Sequence, residues 1–61
     1  MTKGTRVKWL WVADDTDHSG TLIRRLEVYD LSREKTGEYA WRISGDDGQE
    51  YIVEEEILQP L

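Results

Sequence analysis

Two runs of alternating apolar and polar residues, joined by a short turn, constrain the fold of this chain most. Tyr39, Trp41 and Ile43 alternate with small or charged residues, and residues 49–54 repeat the pattern after the turn Gly-Asp-Asp-Gly at 45–48. Period-two alternation is typical of strands that bury one face, and Asp-Gly is a strong hairpin signal because both residues tolerate left-handed backbone. The segment therefore predicts a β-hairpin with its turn at residues 45–48.

The residues that follow this hairpin predict the end of the domain. Three glutamates at 54–56 precede Ile57 and Leu58. We expect one turn of 3₁₀ helix that places Leu58 in the core. Gln59, Pro60 and Leu61 then predict a short edge strand, where the missing donor of proline does no harm.

A third patterned run lies near the start of the chain. In residues 5–12 the side chains of Val7, Trp9 and Trp11 fall on one face, and those on the other face are Arg6, Lys8, Leu10 and Val12. β-branched and aromatic residues at this spacing predict a strand. Gly4 would open it.

Residues 21–31 form a second candidate strand, in which the alternation of apolar residues between the two faces is interrupted. Leu22, Leu26 and Val28 share one face, whereas Ile23 lies opposite. One extra residue repairs the alternation, so we expect a β-bulge or bend near Arg24 and Arg25, and a long, curved strand. A helix is the alternative, because Leu22, Leu26 and Tyr29 are also spaced i, i+4 and i+7.

Two polar segments predict loops. Residues 13–20 are almost all turn formers, and they include His18, which we expect to be exposed. Residues 32–38 are polar as well, with Gly37 as the expected left-handed position.

Together these elements predict an all-β fold. The 61 residues make a single domain with one small core and no cysteine to reinforce it. An open, two-sided sheet of four or five antiparallel strands would leave several aromatic rings in water, so we expect closure into a small SH3-like barrel. In residues 38–61, the predicted core consists of Trp41, Ile43, Tyr51, Val53 and Leu58.

The pattern resembles a known group of small barrels. Lys-Gly-Thr-Arg-Val at 3–7 is similar to the "Gly, any, any, Val" opening of Tudor, KOW and related SH3-like barrels. Residues 19–23 are similar to the start of the second strand in the same barrels. Residues 39–61 are similar to the Tudor-type third strand, Asp-Gly turn, fourth strand and 3₁₀-plus-leucine ending. A Tudor domain implies recognition of methylated lysine or arginine by an aromatic cage, to which only Trp11, Tyr39 and Tyr51 could contribute here.

The sequence offers little for catalysis or metal binding. His18 is the only histidine and there is no cysteine, so dyads and metal sites that need a second such residue are excluded. Residues 15–22 fit the first positions of an EF-hand loop, but position twelve is Leu26 instead of glutamate. We therefore expect no enzyme activity, no cofactor and no metal.

The main functional hypothesis is a non-catalytic module that binds a protein or peptide partner. Six Trp and Tyr rings exceed what so small a core can bury, and exposed aromatic rings are common anchors of interfaces. Aspartates are concentrated in the predicted loops. The candidate binding residues are Trp11, Tyr39, Tyr51, Asp15, Asp17, Asp46 and Asp47.

Three other possibilities stay open. A basic strand face could bind nucleic acid, although the net charge of −5 disfavours it; its residues would be Arg6, Lys8, Arg24 and Arg42. The acidic chain could instead be an inhibitor that occupies a nucleic-acid site on another protein. It could also be a subunit whose exposed ring is completed only in an oligomer. No export signal or membrane segment is recognisable, which predicts a cytoplasmic protein.

Overall fold

The computed structural model describes residues 1–61 as one antiparallel sheet. Its strands are β1 (Arg6–Trp11), β2 (Thr16–Tyr29), β3 (Lys35–Gly45), β4 (Glu50–Glu54) and β5 (Gln59–Pro60), with a 3₁₀ turn at Glu55–Ile57. The hydrogen-bonded order is β4-β3-β2-β1-β5. No helix in the structure is long and apolar enough to cross a lipid bilayer.

The predicted fold class is confirmed, but closure of the sheet is not. All five strands are antiparallel, and the single 3₁₀ turn precedes the last strand as expected. β4 and β5 lie at the two ends of the pairing order and are not paired with each other. The SH3-like barrel therefore stays a prediction, and the confirmed architecture is an open five-stranded sheet.

The prediction of a loop at residues 13–20 is wrong for the second half of that segment. Residues 16–20 belong to β2, and Trp11 pairs with Thr16 while Val7 pairs with Gly20. Pairing with β1 satisfies the backbone of these polar residues, so the sheet overrides their local preference for turns. The actual turn is 12–15, with Asp15 at φ 55°. The partial EF-hand pattern thus lies largely in extended backbone.

The bulge in β2 is confirmed, and the helical alternative is wrong. The register with β3 shifts between Leu22 and Arg24, so Ile23 is the extra residue. A second shift follows between Glu27 and Tyr29. β3 begins at Lys35, so the loop predicted at 32–38 is shorter than expected.

The turn between β3 and β4 has the predicted position but a different geometry. Gly48 N donates to Gly45 O at 3.1 Å, and Gly45 N donates to Gln49 O at 2.7 Å. Gly48 has φ 86°, whereas Asp47 is not in the left-handed region. Only one of the two turn residues therefore needs positive φ, as in a type I turn followed by a left-handed glycine.

The core lies on one face of the sheet, which we call the inner face. Its buried residues are Val7, Trp9, Leu22, Trp41, Ile43, Val53 and Leu58, with Trp11 and Tyr51 packed against it. Four of the five predicted core residues are buried; Tyr51 is only partly buried. Leu58, 6% exposed, comes directly after the 3₁₀ turn, as expected.

Candidate functional site

Two turns of the chain meet at one end of the sheet. The β1–β2 turn and the β3–β4 turn are brought together because β2 lies between β1 and β3 in the sheet. Asp46 N donates a hydrogen bond of 2.9 Å to Ser19 O, which joins the second turn to the start of β2. The aspartates predicted in separate loops thus share one end of the molecule.

An ion pair fixes this junction. Arg6 donates from Nη1 to Asp46 Oδ1 at 2.7 Å and from Nη2 to Asp46 Oδ2 at 2.6 Å, and Ser19 Oγ donates to Asp46 Oδ2 at 2.6 Å. These hydrogen bonds lower the pKa of Asp46 to about 2; the bond from Arg6 has the largest effect, followed by the bond from Ser19. Arg6 and Asp46 were predicted in two different sites, and here they bind each other.

Next to this ion pair lies a cluster of four rings. Tyr51 packs edge-on at 5.1 Å from both Trp11 and His18, and at 5.4 Å from Trp9. Trp9 stacks on His18 at 5.9 Å. Edge-to-face pairs at these distances are favourable beyond the area that they bury. Gly45 leaves the room for Tyr51, since a Cβ there would lie 2.7 Å from the ring.

His18 occupies the centre of the cluster, and the prediction that it is exposed is wrong. Its side chain is only 14% exposed. Nε2 lies 3.0 Å from both Asp14 Oδ2 and Thr16 Oγ1, and Nδ1 lies 3.8 Å from Asp47 Oδ2. The space between the rings and the two carboxylates therefore holds the chain's own imidazole.

The two carboxylates beside His18 are held by hydrogen bonds. Asp14 accepts from Thr16 Oγ1 at 2.6 Å and from Thr16 N at 3.2 Å, and the hydroxyl bond is the main cause of its lowered pKa. Asp47 accepts from the Tyr51 hydroxyl and from Gln49 N at 2.9 Å. The Tyr51 bond lowers the pKa of Asp47, and the same bond raises the pKa of Tyr51 to about 12. At neutral pH both carboxylates are charged and the phenol is not.

We call the group formed by Trp11, Asp14, His18, Asp47 and Tyr51 the acidic end. Trp11 and Tyr51 are partly exposed, and the two aspartates are exposed. Three of its members, Trp11, Asp47 and Tyr51, were candidate site residues. Asp14 and His18 were missed, because both lie in the segment that was predicted to be an exposed loop.

The other predicted aspartates lie around the acidic end. Asp15 is exposed at the tip of the β1–β2 turn. Asp17 is exposed on β2, opposite Leu10. A shallow groove runs between the start of β2 and the β3–β4 turn; it is lined by Thr16, Asp17, His18, Ser19, Asp46 and Asp47. Three of the four aspartates predicted for binding thus line one groove, and Asp15 lies outside it.

Tyr39 is not part of this surface. It lies near the other end of β3, about 20 Å along the strand from Gly45 at ~3.3 Å per residue. The Arg25 guanidinium lies 3.5 Å from the centroid of its ring. Tyr39 also lines a separate groove with Gly37, Glu38 and the glutamates at 54–56. Tyr39 and Trp11 therefore cannot contact one small ligand together.

The four cations predicted for nucleic acid share the outer face of the sheet. Arg24 pairs directly with Arg42 in the register of β2 and β3, and Lys8 pairs with Ser19. Arg42 Nε lies 3.4 Å from a Glu50 carboxylate oxygen, and Arg6 is engaged with Asp46. Two of the four positive charges are thus already compensated within the chain.

Comparisons with protein-family models, with curated proteins and with solved structures found no significant match to this chain.

Proposed function

We propose that this chain is a non-catalytic interaction module that binds a positively charged segment of a partner protein at the acidic end. One observation carries the proposal. Trp11 and Tyr51 are partly exposed rings in edge-to-face contact, and the ionised carboxylates of Asp14 and Asp47 lie around the same cluster. Aromatic faces and carboxylates both attract guanidinium and ammonium groups.

The hydrogen bonds that hold the carboxylates of the acidic end support this proposal. Asp14 is held by Thr16, and Asp47 is held by Tyr51 and Gln49. A partner would therefore not have to order these side chains, which reduces the entropic cost of association. The acidic net charge would also attract a basic segment from a distance.

The mode of binding that fits this geometry is a surface contact. His18 fills the space between the rings, so a partner's side chain would lie across Trp11, Tyr51 and the carboxylates. An aromatic cage of the Tudor type, which surrounds an inserted methylated cation, is less well supported because the chain supplies its own occupant.

A basic peptide tests the proposal. The probe is a peptide of alternating arginine and serine, capped at both ends, and the readout is tryptophan fluorescence. We expect a saturable change that weakens as salt is raised, because exposed charges are screened. A peptide with glutamate in place of arginine serves as the control and should give no change. No saturable response to the arginine peptide would rule the proposal out.

Nucleic acid is the second candidate partner, and it has weaker support. The outer face carries Arg24 and Lys8 without an ion pair, but Arg6 and Arg42 are engaged with carboxylates. Electrophoretic mobility of short single-stranded RNA and DNA at low salt would separate the two candidates. A shift that falls steeply with salt would favour the outer face over the acidic end.

A further inference from the structure

Part of one edge of the sheet has no partner strand. β5 pairs with β1 at Val7 and Lys8 and extends no further along it, so no strand lies beside residues 9–11 on that side. The edge of a sheet presents N–H and C=O groups to which an extended chain can bind. The second half of β1 is therefore an open edge, and it leads to the acidic end, because Trp11 is its last residue.

The hydrogen bonds of β1 show which backbone groups face this open edge. In an antiparallel sheet, successive residues of a strand bond alternately to the neighbours on its two sides. Leu22 N donates to Thr5 O at 3.0 Å, so the odd-numbered residues of β1 face β2. Leu61 N donates to Arg6 O at 3.0 Å, so the even-numbered residues face the other way. The N–H and C=O of Leu10 therefore point to the open edge.

A groove with apolar side chains lies along the same edge. Its lining includes Leu10, Val12, Ile57 and Asp17. Leu10 and Ile57 are 51% and 44% exposed, and Val12 is more exposed still. Asp17 also lines the groove between the start of β2 and the β3–β4 turn. The open edge thus connects an apolar surface with the carboxylates of the proposed binding site.

We propose that the basic segment of the partner binds at this edge as an extended strand, antiparallel to β1 and in line with β5. This inference rests on the proposed function, because it assigns a conformation and a side-chain pattern to the segment that binds the acidic end. A residue opposite Leu10 points to the same face as Leu10, and its two neighbours point to the face of Trp9 and Trp11. The pattern that fits is an aliphatic residue between arginines. The aliphatic side chain covers Leu10 and Ile57, while an arginine contacts Trp11 and Asp14.

The charge of the chain favours a basic partner over a second copy at this edge. Two copies that each carry a net charge of −5 repel each other, whereas a basic segment is attracted. We therefore expect a monomer in sedimentation. A dimer that Leu10→Thr dissociates would show that a second copy occupies the edge, and it would overturn the inference.

Two capped peptides of equal charge test the side-chain pattern. One is the peptide of alternating arginine and serine, and the other has valine in place of serine; their dissociation constants are measured by tryptophan fluorescence. We expect the valine peptide to bind about tenfold more tightly, because it buries an aliphatic side chain and favours extended backbone. Leu10→Thr should remove most of this gain. The matched control is Ile52→Thr, at a similarly exposed position on β4, and it should retain the gain. The opposite result for the two variants would place the strand at β4 and overturn the inference.

Methylation of the peptide's backbone nitrogens tests the strand pairing without any change to the protein. In the proposed register the valine opposite Leu10 directs its N–H to β1, and the arginine N–H groups point away. N-methylvaline should therefore return the affinity to that of the serine peptide, whereas N-methylarginine should keep the gain. Equal affinities of the serine and valine peptides, or equal effects of the two methylations, would overturn the inference and leave the proposed function intact. Absence of binding by both peptides would instead contradict the proposed function.

Discussion

Arg6 and Asp46, forty positions apart in the sequence, form a two-point ion pair that connects the first strand to the turn before the fourth. Ser19 adds a third hydrogen bond from β2 to the same carboxylate. Three segments thus converge on one aspartate. The pair holds the β3–β4 turn against the sheet, and in doing so it places Asp47 beside His18.

This ion pair predicts a particular dependence of stability on pH. Because folding lowers the pKa of Asp46 from 3.8 to about 2, its stabilisation is complete above about pH 4 and is lost as the pH falls toward 2. We expect Asp46→Asn to lower the urea midpoint at pH 7 and to have much less effect at pH 2. The control is Glu50→Gln, which removes a longer, exposed ion pair with Arg42 and should change little at either pH. Equal losses at both pH values for Asp46→Asn would contradict this account.

The close approach of β2 and β3 at Gly20 gives a second prediction. A Cβ at this position would lie 2.8 Å from Ile43 Cγ2 and closer still to the carbonyl oxygen of Ser44. We expect Gly20→Ala to destabilise the fold by about 1–3 kcal/mol through overpacking, measured by urea denaturation. Gly48→Ala is the comparison, since its Cβ would meet nothing and the cost comes only from its positive φ, about 1 kcal/mol. A smaller loss for Gly20→Ala than for Gly48→Ala would show that the strands can separate there.

The position of Leu58 gives a third prediction. Its side chain is 6% exposed and belongs to the core cluster, so Leu58→Ala should lower the free energy of unfolding by about 2–4 kcal/mol. Leu31 is the matched control because the same side chain is fully exposed in the β2–β3 turn. Leu31→Ala should change stability by less than about 0.5 kcal/mol. Thermal or urea unfolding followed by tryptophan fluorescence compares the two, and similar losses would mean that Leu58 does not pack as described.

Two aspartates in equivalent turns test the acidic end directly. Asp14 accepts hydrogen bonds from Thr16 Oγ1 and N, and Asp30 accepts the same pair of bonds from Ser32. Asn at either position keeps an acceptor and removes the charge, so the two variants should fold alike. We expect Asp14→Asn to weaken binding of the arginine peptide by roughly threefold to tenfold at pH 8, and Asp30→Asn to leave it unchanged. Equal effects of the two variants would indicate attraction by net charge alone.

The sequence predicted those parts of the fold that local pattern determines. The Asp-Gly turn, the bulge after Leu22 and the turn that buries Leu58 all depend on residues close in sequence, and all three are present. The strand at residues 16–20 was missed because its polar residues favour turns locally, and only pairing with β1 makes them extended.

The candidate site was harder to predict for a related reason. The turn between β3 and β4 reaches His18 only because β2 and β3 are neighbours in the sheet. No local sequence pattern indicates that Asp14 and Asp47 lie on either side of the same ring. The ion pair between Arg6 and Asp46 could not be predicted either, since the charge pattern of the sequence does not show which of several aspartates an arginine will pair with. Sequence reasoning therefore identified several members of the acidic end, but not the contacts that they make within the chain.

The short last strand also has a consequence for behaviour at high concentration. β5 has two residues, and Pro60 lacks the amide proton that an incoming strand would need. At the opposite edge, β4 has a glutamate at each end, Glu50 and Glu54. Short, charged or proline-containing edges are poor templates for addition of another chain, so an open sheet of this kind can avoid fibrous aggregation without closing on itself.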